Sequence, residues 1–272
     1  MSDEVIVTFA LTGVLATREH CPWVPYTPEE IAEEARRAYE AGAAVVHIHA
    51  RTTEGGPTYE AAVYAEIRKE IERRCPVILN FSTGGAGPME ERVAHIAQVK
   101  PALGALNMGS MNYAKYSPRR KEFVFDFVFE NPFRDISYLL SVMKEANVKP
   151  ELECFDVGHT NSVWPLLDKG LLVAPLQFSF IMGVLGGIRA TAENLALQAR
   201  ETPERSTWEV IGISHEGEQA WHGTLDAIRS AAIDDQEHLP GIIVVGAVAA
   251  LAAIIATQER EQTAARSSAS LG

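Results

Sequence analysis

Short apolar runs alternate with longer amphipathic ones along most of the chain. VIVTFAL (5–11) has the length and β-branched content of a buried strand. TPEEIAEEARRAYEAG (27–42) instead repeats its apolar residues every three or four positions, as a helix does. Thr27 suits the cap of that helix, Pro28 its first turn, and Gly42 its close. The pair of patterns then recurs. Strands are predicted at 43–50, 76–82, 102–109, 151–156, 174–182, 208–214 and 241–247. Helices are predicted at 58–74, 88–99, 131–148, 162–170, 190–200 and 218–232, with a last one after 247.

Strands that alternate with helices point to a parallel α/β sheet. Eight of them suit a closed TIM (β/α)8 barrel, which takes about 250 residues. The 272 residues therefore read as one domain, 1–272, with an atypical end around strand 8 and a frayed tail from about 260. An open doubly wound sheet is the alternative. No GxGxxG follows the first strand, which weakens a dinucleotide-binding version of it.

Charge and composition remove several partners. The formal net charge is −12, so phosphate backbones and anionic lipid are repelled, and nucleic acid and membrane are not expected partners. The apolar run 241–256 is shorter than the ~20 residues of a membrane span and opens with a β-branched stretch. It reads as a buried strand leading into a packed helix. Cys21, Cys75 and Cys154 form no CxxC pair, which suits a reducing cytoplasm. Cys75 and Cys154 read as small buried hydrophobes. The N-terminus carries acids before its apolar run, unlike a signal peptide.

A barrel enzyme gathers its chemistry at the C-terminal ends of its strands. The second strand ends in His47-Ile48-His49-Ala50-Arg51. Side chains alternate along a strand, so both histidines share a face, about 6.5 Å apart along the chain. Two imidazoles in register suit one divalent ion such as Zn²⁺. The plainer alternative is a hydrogen-bonded pair of core histidines. The third strand ends in Asn80-Phe81-Ser82-Thr83-Gly84-Gly85, whose hydroxyls and free N–H groups suit a carboxylate, or form a tight turn. In ELECFD, Glu151, Glu153 and Phe155 share a face. A carboxylate inside a barrel must be paired, protonated or bound to a cation. Glu153, nearer the mouth, is a candidate substrate binder or proton-handling group, or else half of an internal salt bridge. The glycines of GVLGGI (183–188) suit close packing slightly better than a ligand.

In this order, ALTG (10–13), PYTPEEIAEEARRAYEAGAAVVHIHAR (25–51), NFSTGG (80–85), LNMGSMNY (106–113), KPELECFDVGH (149–159), GVLGGI and WEVIGIS (208–214) resemble the β-keto acid cleavage enzymes. The resemblance covers roughly residues 5–214. It implies a TIM barrel, a divalent metal, most often zinc, and acetyl-CoA as co-substrate. The implied reaction is a retro-Claisen-type cleavage that turns a β-keto acid and acetyl-CoA into acetoacetate and a new acyl-CoA. His47 and His49 match the family's metal-binding pair. Ser82, Thr83, Gly84 and Gly85 match its substrate-carboxylate segment. Asn107 lies in its fourth-strand substrate segment and Glu153 in its acidic fifth-strand segment. Glu153 and Ser82 are thus the candidate catalytic groups, and Arg51 joins the candidate substrate-binding ones. Family members are commonly tetramers, so a homo-oligomer is expected.

The family's eighth strand normally ends in a GLEDN-type segment, whose Glu completes the metal ligands. Here the corresponding region reads RSAAIDDQEHLPGIIVVGAV (229–248), with Asp234, Asp235, Glu237 and His238. Two further readings follow from that departure. One is a catalytically weakened or silent barrel that binds a metal or a carboxylate. The other is a different metal-dependent barrel enzyme, an aldolase or hydrolase.

Overall fold

The computed structural model describes residues 6–14, 17–19, 21–85, 87–203 and 206–212. Seven parallel strands form one sheet: β1 (Thr8–Ala10), β2 (Val45–Ile48), β3 (Ile78–Ser82), β4 (Leu103–Asn107), β7 (Lys149–Cys154), β8 (Leu176–Met182) and β9 (Ser206–Gly212). They neighbour one another in that order. A separate antiparallel hairpin, β5 (Met111–Ser117) and β6 (Glu122–Phe129), stands between β4 and β7 in the chain. The helices are α1 (Pro28–Glu40), α2 (Ala61–Glu72), α3 (Met89–Val99), α4 (Phe133–Ala146), α5 (Val157–Asn161), α6 (Val163–Asp168) and α7 (Ala192–Arg200).

The sheet is curled as in a (β/α) barrel, and side-chain contacts measure the curl. β2 and β7 are three strands apart in the sheet order. In a flat sheet that separation would be about 14 Å at ~4.8 Å per strand. Yet His47 Nδ1 on β2 lies 3.9 Å from Glu151 Oε2 on β7. Asn80 on β3 hydrogen-bonds Glu151 directly across β4. Only a sheet wrapped around its own interior brings those side chains together. The other face of the same strands carries Val46, Ile48, Leu79, Phe81, Phe178 and Phe180, all buried in one core with the helices.

Local chemistry explains the elements. Thr27 caps α1 through its hydroxyl, and the Glu30 carboxylate returns to the Thr27 N–H, a reciprocal capping box. Pro28 takes the first turn and Gly42 follows with φ +105°, open only to glycine at little cost. Cys75 and Cys154 are buried, as small hydrophobes would be.

The predicted strands from 5–11 to 208–214 each meet an observed one; the first four and the sixth are shorter than predicted, and those at 151–156 and 208–214 begin two residues earlier. The predicted eighth strand (241–247), the helix over 218–232 and the tail lie outside the described residues, and so does closure of the barrel. Two elements were not anticipated. The first is α5, one turn started by the Asp156 carboxylate on the Gly158 N–H. The second is the hairpin, although EFVFDFVF alternates with a strict period of two.

Candidate metal centre and substrate loop

The ladder of β2 ends at Ile48. Side chains supply the missing partners. The Thr12 hydroxyl accepts the His49 N–H at 2.8 Å and donates to the His49 carbonyl at 2.7 Å. The Ala50 N–H donates to the Tyr64 hydroxyl at 3.2 Å. His49 therefore keeps the alternation of the strand and points inward beside His47.

The two Nε2 atoms lie 3.1 Å apart, with the rings inclined at 62°. Two ring nitrogens at ~2.0–2.1 Å from one tetrahedral ion sit about 3.3–3.4 Å apart. The pair is within a few tenths of an ångström of that spacing. Burial, and then the positive fields of His47 and Arg51, hold the His49 imidazole well below the usual histidine range. It is neutral near pH 7, the form that binds a metal.

Two carboxylates complete the cluster. His47, Glu151 and Glu153 each offer a ligand atom within 4.8 Å of the others. Glu151 accepts from the Asn80 amide and faces His47 Nδ1, the placement of a carboxylate that orients a ligating imidazole. Glu153 is less buried than Glu151 and lies nearer the strand's C-terminal end. Burial, and then the Glu153 charge, disfavour the phenolate of Tyr113 at the root of the hairpin. Imidazole nitrogens with carboxylate oxygens form a donor set that zinc and similar divalent ions accept.

The loop after β3 lies alongside. The Ser82 hydroxyl accepts the Gly84 N–H at 3.1 Å. Asn107 on β4 packs against Gly84, where a Cβ would sit 3.3 Å from Asn107 Nδ2. Asn107 is buried and its Oδ1 has no hydrogen-bond partner among the described residues. An orphaned buried acceptor is costly, so this oxygen is the strongest local sign of an external donor. Thr83 turns away: its hydroxyl donates to the Ala105 carbonyl at 2.7 Å. Gly85 is pinned by Tyr59, whose hydroxyl would lie 1.5 Å from any Cβ added there. Arg51 is buried and its guanidinium donates to the Gly13 and Gly55 carbonyls, tying the first two βα loops together.

Behind the loop stands His95, fully buried, its ring stacked on Tyr64 at 3.9 Å and its Nε2 3.1 Å from the Ser82 carbonyl. Arg92 donates twice to the Thr83 carbonyl, at 3.0 and 2.9 Å. In the loop after β8, a Cβ on Gly186 would lie 1.9 Å from the Asn112 carbonyl oxygen, so that glycine serves packing. Sequence reasoning singled out His47, His49, Ser82, Asn107 and Glu153 but passed over Thr12, Asn80, Tyr59 and Glu151 as site residues. Asn80 was findable, two positions before Ser82 on the same strand face. Nothing in the sequence marks Tyr59.

A curled parallel sheet of barrel type, with a His-x-His pair and two carboxylates inside it, defines an α/β enzyme with a candidate metal site. The chain belongs to the β-keto acid cleavage enzyme family, whose model matches residues 4–227. That match runs past residue 214, where the sequence motifs end. The chain is 35% identical over 230 residues to a 3,5-dioxohexanoate:acetyl-CoA acetone transferase of Paraburkholderia graminis, covering 77% of this chain and 74% of that protein. It is 34% identical over 215 residues to a 3-keto-5-aminohexanoate cleavage enzyme of Fusobacterium nucleatum, covering 78% and 75%. It is 29% identical over 220 residues to a 3-oxoadipate:acetyl-CoA acetyltransferase of Cupriavidus necator, covering 79% and 74%.

Proposed function

We propose that this protein is a metal-dependent β-keto acid cleavage enzyme that uses acetyl-CoA and yields acetoacetate and a new acyl-CoA. The observation that carries the reading is the pairing of His47 and His49 beside Glu151 and Glu153 inside the curled sheet. The relatives' acetyl-CoA chemistry supports the co-substrate.

His47 and His49 would hold the ion, and Zn²⁺ is the metal that suits the pair. A divalent ion there supplies Lewis-acid polarisation of the β-keto oxygen. The chain's own groups do the rest. Gly84, Gly85 and Ser82 shape the seat for the substrate carboxylate, with Arg51 fixing the neighbouring loops. Asn107 Oδ1 accepts from a donor on the substrate. Glu153 handles the proton, and Glu151 holds the His47 ring in place. The Tyr59, Tyr64 and His95 rings keep the loop dry and rigid, so the site need not reorganise as charge develops.

The same reading takes the chain as one domain, cytoplasmic by its cysteine usage, and assembled as a homo-oligomer. Among the described residues no helix is long and apolar enough to cross a membrane. The silent-barrel alternative keeps one motivation, the absence of a GLEDN-type segment from the sequence. One experiment separates the two: acetoacetate release from acetyl-CoA across a panel of β-keto acids, with metal content measured on the same sample. Turnover with about one metal per chain supports the enzyme. Metal-loaded protein that releases no acetoacetate from any panel member overturns it in favour of the silent barrel.

A further inference from the structure

Arg92 is a buried cation whose hydrogen-bond partner is a neutral carbonyl. It stands on α3, is 5% exposed, and donates from Nε and Nη2 to the Thr83 oxygen, at 3.0 and 2.9 Å. Burial pulls its pKa below the ordinary arginine value, while Tyr59 and Asp135 act the other way. Asp135, on α4, makes no hydrogen bond to Arg92 and lies 3.3 Å from Arg134. A buried charge is ordinarily paired with an opposite one, because burial without a pair is costly. This guanidinium stays protonated and is aimed at the substrate loop instead.

The loop is held from behind and open in front. Three consecutive carbonyls face side-chain donors: Ser82 faces His95 Nε2 at 3.1 Å, Thr83 faces Arg92, and Gly84 faces the Tyr59 hydroxyl at 3.1 Å. Arg92 and His95 are three residues apart, so one face of α3 carries both. In front, the Gly84 N–H donates to Ser82 Oγ at 3.1 Å. Among the described residues, the Ser82 hydroxyl hydrogen and the Gly85 N–H have no acceptor. The Thr83 carbonyl and the Gly84 N–H belong to one planar trans peptide and point opposite ways. Polarising that carbonyl strengthens the N–H as a donor to Ser82, and a hydroxyl that accepts a stronger bond becomes a better donor itself.

We propose that Arg92 is a positioning residue that charges the seat: acting through the Thr83–Gly84 peptide and the Ser82 hydroxyl, its guanidinium makes the loop select a carboxylate over the matching neutral amide. The inference deepens the substrate-loop reading above and rests on it. The bound carboxylate supplies the counter-charge, and the attraction acts through a buried loop where it is screened less than in water.

The test compares acetoacetate with acetoacetamide, which share their heavy-atom shape and differ in charge. Dissociation constants are measured by NMR titration on the metal-loaded full chain, for the wild type, Arg92→Gln and Arg92→Lys. Metal content is matched in all three, so that any pull of the ion on the carboxylate is common to them. The wild type should prefer acetoacetate by roughly tenfold or more. Arg92→Gln should lose most of that preference through weaker acetoacetate binding alone. Arg92→Lys keeps the charge but not the fork, and should keep most of the preference. An Arg92→Gln chain that binds both ligands more weakly by the same factor, or that keeps the preference, overturns the proposal, since Arg92 would then only brace the loop. If the glutamine variant does not fold, the lysine variant decides. Preference and acetoacetamide affinity both kept would support the charge, and a fall in either would overturn it. A wild type with no preference overturns the carboxylate seat itself. Binding needs no turnover, so a chain that releases no acetoacetate fails as an enzyme without deciding this test.

Discussion

The Thr12 hydroxyl is hydrogen-bonded to both the N–H and the carbonyl of His49. A single side chain from the end of β1 thereby fixes the backbone of a metal-ligand candidate on the neighbouring strand. Thr12→Val keeps the shape and removes both bonds. It should cost about 1–3 kcal/mol in stability, since a buried N–H and a carbonyl lose their partner. Zinc affinity should fall by roughly 10–100-fold, the usual effect of removing an outer support of a ligand. Denaturant unfolding and a competitive zinc titration check the two numbers. Unchanged zinc affinity would remove Thr12 from the site.

The metal candidates separate by substitution. His47→Ala should abolish both metal content and acetoacetate release, because His47 belongs to the histidine pair and to the carboxylate triad. Glu151→Gln should weaken binding less, as an amide can still accept from Asn80 while losing the charge that faces His47. Elemental analysis of each purified variant reads the order directly. Equal metal content in His47→Ala and wild type would dismiss the centre.

Gly85→Ala tests the substrate loop. The new methyl would sit 1.5 Å from the Tyr59 hydroxyl, at a φ of +155°, so either the tyrosine or the loop must move. The expected outcome is a rise in KM for the β-keto acid with metal content intact. Pairing it with Tyr59→Ala should restore part of the loss by opening the space. If Gly85→Ala turned over like the wild type, the loop would not be a substrate seat.

Acid should destabilise the fold through His95. Burial lowers its pKa from the ordinary 6.5 to about 4. The unfolded chain therefore takes up the proton first as pH falls. The stability contributed by neutral His95 is full above pH 6.5 and is lost as pH drops from about 6.5 to about 4. That gap corresponds to about 3 kcal/mol. Urea midpoints across this range should decline in the wild type. His95→Gln, which keeps a donor for the Ser82 carbonyl, should show a flatter slope. The same slope in both would mean that other groups carry the acid sensitivity.

Much of the site was legible because strand periodicity is local. His47 and His49 had to share a face, and so did Glu151 and Glu153, once each run was read as a strand. Asn107 and the Ser82 loop followed from strand ends in a barrel. The hairpin escaped although its pattern was plain, because it lies between two elements of the barrel repeat and belongs to neither. Arg51 was expected at a substrate and is found clamping Gly13 and Gly55, a partnership 38 residues apart in one case. No spacing rule reveals such a contact.

Local pattern was enough for the alternation of parallel strands and helices up to residue 212, for the shared face of the imidazoles and for the family, though not for the hairpin or α5. Those depend on alternation, capping and motif order, which act over a few residues. Tertiary structure decided which strands' side chains meet. The curl of the sheet sets Glu151 of β7 against Asn80 of β3 and His47 of β2, while the register of adjacent β1 and β2 sets Thr12 against His49. Curvature accumulates over the whole sheet through twist and packing. A site built across its interior therefore becomes visible only when all the strands are in place.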